Sequence, residues 1–379
     1  MTYRPNGNSL KVVLAAGGTG GHTFPAQALA ETLAERDHHT IFMTDHRGRF
    51  PGHVVQSNNL HRLAITSPAG GLMAKAKCLT SLVKSYGQAR GLLRALAPDV
   101  VVGFGGYPSA PTVFAAWRLG LPLIVHEQNA RLGKTNEWMA KRSDRVAMSF
   151  SGGAESTLPI TVTGNPVRRA VVLVREAPYT APTVDGPFNL LVTGGSQGAR
   201  ALAQRVPEAL ERLREDFRTR LWVTLQCPRS ELPAAKERLN RAGIASEVAE
   251  FFEDIAVRVQ NSHLVVCRSG ASSVCELSVA GRPAIFVPYP HHKDQQQLHN
   301  AKALTDQGGG WVIEESDLSA EHLAKVIGDL AARPAKLANA AAAARDRGVP
   351  DAAEKLADLV ETVAGHAPGN GHPMREAAQ

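Results

Sequence analysis

Short aliphatic runs alternate along the chain with longer stretches in which apolar residues recur every three or four positions. Lys11–Ala16 reads as a buried strand, because Val12, Val13 and Leu14 form an unbroken aliphatic run. It ends in Gly17-Gly18-Thr19-Gly20-Gly21, after which Ala26, Leu29, Ala30 and Leu33 mark one face of a helix. Val100–Val102 and Leu123–Val125 repeat the strand pattern. The first ends in Gly103-Phe104-Gly105-Gly106 and the second in His126-Glu127-Gln128-Asn129, while Pro98 and Pro122 close the helices before them.

The second half repeats the scheme. Asn189–Thr193 is a strand ending in Gly194-Gly195-Ser196-Gln197-Gly198, and Leu202, Val206, Leu210 and Leu213 share the face of the helix that follows. The two glycine loops lie 177 residues apart. A strand–glycine loop–helix unit opening each half predicts an α/β protein of two Rossmann-like domains facing across a cleft, divided near Gly164-Asn165-Pro166. Ala177–Pro187, rich in proline, reads as a surface loop of the second domain, and the Gly/Pro-rich end from Gly365 as a disordered tail.

A hydrophobic content of 44% and a charged content of 20% exclude a disordered chain or a fibrous repeat. No apolar run reaches the 18 or so residues of a spanning helix, and Met1–Leu10 lacks the apolar core of a signal peptide. Cys78, Cys227, Cys267 and Cys275 form no CxxC pair, so they read as small core residues in a reducing compartment. Charge is uneven: residues 1–166 hold 17 Lys and Arg against 9 Asp and Glu, a net of +8, and the remainder sums to −1. Between Asp45 and Asp99 there is no acid, but there are Arg47, Arg49, Arg62, Lys75, Lys77, Lys84, Arg90 and Arg94. Such a block is either a plain solvated face or the seat of an anionic partner.

A glycine loop between strand and helix lets backbone N–H groups approach an anion. Gly18-Thr19-Gly20-Gly21-His22 therefore reads as a diphosphate cradle with a histidine at its lip. The loop is not G-x-G-x-x-G, so a nicotinamide dinucleotide has little support. His22 is a general base or a donor to a phosphate, and its position does not choose between the two. Cys267-Arg268-Ser269-Gly270-Ala271-Ser272-Ser273-Val274-Cys275-Glu276 is a strand end, a loop of small residues and a helix start, which again suits a phosphate. Glu276, about one turn into that helix, can accept from both hydroxyls of a ribose. Asp294-Gln295-Gln296-Gln297 and Asn300 offer mixed donors and acceptors of the kind sugar hydroxyls need. No HExxH, DxD or Cys/His cluster is present, so no metal and no cofactor is expected.

Taken in order, Gly17-Gly18-Thr19-Gly20-Gly21-His22-Thr23-Phe24-Pro25, Gly105-Gly106-Tyr107-Pro108-Ser109, His126-Glu127-Gln128-Asn129, Gly164-Asn165-Pro166-Val167-Arg168, Gly194-Gly195-Ser196-Gln197-Gly198-Ala199 and Cys267-Arg268-Ser269-Gly270-Ala271 resemble the MurG glycosyltransferase family. The resemblance runs from about residue 11 to 350. It implies a GT-B fold and metal-independent, inverting transfer of N-acetylglucosamine (GlcNAc) from UDP-GlcNAc to the C4 hydroxyl of the muramoyl sugar of lipid I. The product would be lipid II, for peptidoglycan and hence for cell shape and division. The implied division is an acceptor- and membrane-binding domain at 1–166 joined by a C-terminal helix at about 350–365, a UDP-GlcNAc domain at 167–349, and a tail at 366–379.

Carried over residue by residue, Thr19, Gly20 and Gly21 would contact the donor or acceptor diphosphate region, and Asn129, Arg168 and Ser196 would bind UDP-GlcNAc. Ala271, Ser272, Ser273, Val274 and Glu276 would hold the nucleotide, with Gln296 or Gln297 on the sugar hydroxyls and the backbone at Phe252 on uracil. His22 is the candidate base and Glu127 a second candidate catalytic residue. The basic block then reads as a membrane contact, with Leu72, Lys75, Leu79 and Leu82 meeting an anionic surface at the cytoplasmic face of the inner membrane, peripherally. Two other readings compete. A UDP-sugar 2-epimerase shares the two-domain design but needs a different acid/base set. A basic nucleotide- or nucleic-acid-binding protein would need a ladder of stacking aromatics, and the 5% of aromatic residues form none, so no nucleic acid is expected.

Overall fold

Two parallel sheets divide the chain. The computed structural model describes residues 9–18, 20–48, 50, 59–66, 72–152, 157–195, 200–291 and 294–365, without the side chains of 71–77. The tail at 366–379, Thr19 and Ser196 therefore lie outside the described residues. Strands β1 (Lys11–Ala15), β2 (His39–Thr44), β3 (Leu60–Arg62), β4 (Val100–Gly103), β5 (Leu123–Glu127), β6 (Arg145–Met148) and β7 (Ile160–Val162) form the first sheet, in the order β3-β2-β1-β4-β5-β6-β7. Strands β8 (Phe188–Thr193), β9 (Leu221–Gln226), β10 (Ala245–Ala249), β11 (Leu264–Cys267), β12 (Ala284–Phe286) and β13 (Gly310–Val312) form the second, in the order β10-β9-β8-β11-β12-β13.

Each order reverses beside its opening strand, between β1 and β4 and between β8 and β11, where doubly wound sheets leave a crevice at the strand C-termini. The aliphatic runs sit here because a parallel strand is covered on both faces: Val12, Val13, Leu14, Val100, Val101, Val102, Leu190, Val192, Val265 and Val266 are all buried. β5 runs two residues beyond its aliphatic run. His126 and Glu127 pair with Ala147 and Met148 of β6, so they belong to the buried sheet and not to the loop after it.

The helices are α1 (Gly20–Glu35), α2 (Leu72–Leu96), α3 (Gly106–Leu119), α4 (Lys134–Ala140), α5 (Arg169–Val174), α6 (Arg200–Leu210) and α7 (Glu215–Arg218), then α8 (Leu232–Arg241), α9 (Ile255–Asn261), α10 (Ala271–Ala280), α11 (Gln296–Thr305), α12 (Ala320–Ala331), α13 (Pro334–Arg347) and α14 (Ala352–Gly365). Ala26, Leu29, Ala30 and Leu33 of α1 are buried as their spacing predicts. Leu213 lies past the end of α6 and is only partly buried against the second core.

The chain leaves the first sheet after β7, and Val167, Val171 and Val174 already pack in the second core. It returns at the end: Leu356, Ala357 and Val360 of α14 pack with Leu29, Leu33 and Val100 in the first core. Arg36 pairs with Asp358 at 2.6 Å and His38 with Glu361 at 2.8 Å along the edge of that contact. All four cysteines are free and buried, and burial pushes the Cys275 thiol up to about 12, so it stays a neutral core residue.

Because Leu356 is fully buried between α14 and the first sheet, Leu356→Ala should cost about 2–5 kcal/mol. Denaturant unfolding followed by hydrogen exchange checks this: amides of β1 and β4 should lose protection, while those of β8 and β11 keep theirs.

Candidate active site

The glycine turns stand at the C-terminal ends of the opening strands. A Cβ at Gly17 would meet Pro108 Cβ at 2.8 Å and Asp45 Oδ1 at 2.9 Å, so the position tolerates no side chain. Gly18, at φ +85°, donates its N–H to Asp45 Oδ1 at 3.1 Å, and the same buried carboxylate accepts from Gly48 N and from Arg47 Nε at 2.8 Å. Asp45 thus pins the loop from beneath and holds Arg47 beside it.

His22, in the first turn of α1, lies 3.0 Å through Nδ1 from Gln128 Oε1. Gln128 Nε2 lies 2.9 Å from His126 Nδ1 and 3.4 Å from the His126 carbonyl. His126 Nε2 lies 3.3 Å from the Gly164 carbonyl. Burial lowers the His126 pKa to about 4, helped by the nearby charge of His22 and opposed by the Gly164 hydrogen bond, so His126 is neutral at physiological pH. Gly106, at φ +70°, faces the other side of the His22 ring: a Cβ there would stand 3.2 Å from His22 Nε2.

Glu127 has no lone pair to spare. Its Oε1 accepts from Asn129 N and Asn129 Nδ2, both at 2.9 Å, and its Oε2 from Gly133 N at 2.9 Å and Asn136 Nδ2 at 2.8 Å. A carboxylate so engaged organises the loop after β5. Asn129 and Ala130 of this loop reach the second domain through Asn300 of α11. Asn300 Oδ1 accepts from Ala130 N at 2.8 Å, and its Nδ2 donates to Asn129 Oδ1 at 3.0 Å and to the Ser269 carbonyl at 3.3 Å. Gln297 is engaged by Tyr289 N at 3.0 Å. Gln296 instead faces the first domain, with Nε2 3.5 Å from where a Gly133 Cβ would stand.

On the second domain, α10 starts at the end of β11, and the N–H groups of its first turn, at Ala271, Ser272 and Ser273, have no helical acceptors. Ser269 Oγ and Ser272 Oγ are buried there without a hydrogen-bond partner among the described residues. Two candidates that sequence places 108 residues apart meet directly: Arg168 Nε donates to Glu276 Oε1 at 2.8 Å and Nη2 to Oε2 at 2.9 Å. Burial opposes the Arg168 charge, but Glu276 outweighs it and holds its pKa above the usual value. The same guanidinium lies 5.1 Å from the Phe24 ring centroid, two residues from His22, so it joins the two walls of the cleft. Val274 does not face the cleft; its side chain lies in the second core. The Phe252 ring is buried beneath the Arg258 guanidinium at 4.0 Å, after β10.

Of the residues expected at the membrane, Leu79 is 65% exposed. Leu82 is not outward-facing: three residues on, it falls on the inner face of α2 with Cys78 and Ala89 and packs against the first core. Val83, one turn from Leu79, is 67% exposed instead. The side chains of Leu72 and Lys75 lie outside the described residues. Tyr86 of α2, partly buried against the first core, meets Phe114 at 5.2 Å between centroids, and Phe114 meets the half-exposed Trp138 at 5.6 Å. Arg142 sits over the Trp138 ring at 4.1 Å.

Residues 12–148 match the glycosyltransferase family 28 N-terminal domain and residues 189–356 the glycosyltransferase family 28 C-terminal domain. The chain is a glycosyltransferase of the two-domain GT-B class. A UDP-N-acetylglucosamine--N-acetylmuramyl-(pentapeptide) pyrophosphoryl-undecaprenol N-acetylglucosamine transferase of Rhodospirillum centenum is 45% identical over 366 residues, covering 96% of this chain and 97% of that protein. The crystal structure of Acinetobacter baumannii MurG superposes with a TM-score of 0.75 at 30% identity, over 93% of this chain and 99% of that one. The chain belongs to this MurG family of N-acetylglucosamine transferases. A UDP-N-acetylglucosamine 2-epimerase structure, with a TM-score of 0.66 over 94% of this chain and 97% of that one at 14% identity, shares the fold alone.

A histidine kept neutral by burial makes stability depend on pH. The unfolded chain takes up the proton near pH 6.5 and the folded chain only near 4, so acidification between those values favours unfolding, by about 3 kcal/mol in all. Urea unfolding at pH 7 and pH 4 should show this slope, and His126→Asn should flatten it.

Proposed function

We propose that this chain transfers GlcNAc from UDP-GlcNAc to the C4 hydroxyl of the muramoyl sugar of lipid I, giving lipid II with inversion at the anomeric carbon. The observation that carries the reading is the meeting of the two walls: Arg168, paired with Glu276 on α10, lies over Phe24, two residues from His22. A base on one domain thereby stands next to a nucleotide seat on the other. In this reading the first-turn N–H groups of α10, with Ser269 and Ser272, receive the diphosphate. Glu276, its carboxylate aimed by Arg168, accepts from the ribose hydroxyls with its remaining lone pairs. Gln296 and Asn129 meet the GlcNAc hydroxyls, the backbone at Phe252 meets uracil, and Ser196, outside the described residues, is assigned to UDP-GlcNAc binding from its motif alone. The turn that includes Gly20 and Gly21 contacts the diphosphate of donor or acceptor, with Thr19 assigned to it from its motif alone.

His22 Nε2 takes the C4 hydroxyl proton as that oxygen attacks C1 from the face opposite UDP. The C1–O bond breaks as the new bond forms, and its electron pair leaves with UDP, where the α10 N-terminus and Arg168 meet the developing charge. Labelled GlcNAc should move from UDP-GlcNAc onto lipid I even with a chelator present. His22→Ala should lower kcat by about 10²–10⁴; turnover near that of the unaltered protein on saturating lipid I rules His22 out as the base.

The same proposal places the first domain peripherally on the cytoplasmic face of the membrane, where the acceptor's lipid chain stays. Support comes from the exposed Leu79 and Val83 beside Lys84 on α2 and the exposed Trp138 under Arg142, and no described helix is long and apolar enough to cross a membrane. Each aliphatic side chain so buried contributes about 1.5–3 kcal/mol. Leu79→Glu with Val83→Glu should therefore release the protein from vesicles containing anionic lipid in a sedimentation assay, while its UDP-GlcNAc affinity by calorimetry stays unchanged. Undiminished sedimentation would move the contact elsewhere.

A further inference from the structure

The hydrogen bonds between Gly164 and His22 have only one consistent direction. A backbone carbonyl can only accept, so His126 Nε2, 3.3 Å from the Gly164 oxygen, carries the proton. His126 is neutral, so its Nδ1 is then a bare lone pair, and the Gln128 group 2.9 Å away must be the NH2. The His126 carbonyl, 3.4 Å from the same nitrogen, demands the same orientation. The amide oxygen of Gln128 is left facing His22 Nδ1 at 3.0 Å, and an oxygen can only accept, so His22 carries its proton on Nδ1. The unprotonated nitrogen of His22 is then Nε2, the one beside Gly106, where no Cβ stands in the way.

We propose that Gln128, oriented by His126 and through it by the Gly164 carbonyl, is a positioning residue that fixes His22 in the Nδ1–H tautomer with the Nε2 lone pair toward the acceptor. The proposal deepens the reading of His22 as the base and rests on it for its kinetic part. No proton travels along the chain, since an amide does not relay one under these conditions. Gln128 orients the ring before reaction and accepts from Nδ1–H when the imidazolium forms. A catalytic histidine held in the other tautomer presents a hydrogen where a lone pair is needed, and the kinetic loss is large.

The experiment labels histidine nitrogen in the full chain and reads each ring by its long-range proton–nitrogen couplings at neutral pH. The expected result is His22 with hydrogen on Nδ1 and His126 with hydrogen on Nε2. Gln128→Met keeps the size and removes both hydrogen bonds; His22 should shift toward the Nε2–H form, and kcat should fall by about ten- to a hundredfold with the KM for UDP-GlcNAc unchanged. Gln128→Glu keeps an acceptor for Nδ1–H but loses the donor to His126, so its kcat should lie between that of Gln128→Met and that of the unaltered protein. An Nε2–H tautomer of His22 in the unaltered protein overturns the proposal, and this measurement stands whether or not a variant folds. So does a Gln128→Met enzyme with kcat within about twofold, or equal losses in both variants. If His22→Ala keeps its turnover, the base assignment fails instead, while the tautomer of His22 is still read directly.

Discussion

One carboxylate holds the cleft together. Glu127 is buried at the end of β5, and its four accepted hydrogen bonds wrap residues 129–136 around it. A buried charge survives only when it is fully bonded, so the loop has one conformation compatible with that group. The neighbours on that loop face in different directions. Gln128 turns into the first domain toward His22, and Asn129 and Ala130 turn outward to Asn300 of the second. Removing the carboxylate would leave the N–H groups of Asn129 and Gly133 and the Asn129 amide without their acceptor, and Asn136 with only the His126 carbonyl, so both sides of the cleft would lose their register.

The two halves share a fold but differ in what lies beside one strand-to-helix turn of each. In the first, Asp45 fills the space under Gly17 and Gly18 and engages Arg47, so the turn is fixed by a buried acid. In the second, the loop into α10 keeps hydroxyls without partners and a helix start without acceptors. That arrangement leaves its hydrogen-bonding capacity for an anion, and the arginine nearby is bound to Glu276 and not spent on the loop.

Much of this was legible in the sequence, for identifiable reasons. The strand runs could be read because parallel strands are apolar on both faces, and the glycine turns because they interrupt such runs at their ends. The class of the protein followed from motifs in order. What could not be read depends on distance or on helical phase. That Glu127 gathers four donors from residues 129–136 cannot be read from its place in the sequence. Gln128 meets a partner 106 residues away, and Arg168 one 108 away, spans on which local pattern is silent. Leu79 and Leu82 are both leucines in one basic helix, and a turn of three residues puts the second against the core. Asn300 stood in a polar cluster without anything to mark it as the link between domains.

The return of α14 to the first sheet means that the polypeptide passes between the halves twice. The two passages touch: a Cβ at Gly164 on the outward one would stand 2.8 Å from Val349 Cβ on the return and 3.0 Å from Ala352 Cβ. The Gly164 carbonyl lies where the two passages touch, and His126 reaches it through Nε2 at 3.3 Å. The hydrogen-bonded side chains that end at His22 are thereby anchored where the two halves are joined, and not on the free face of either.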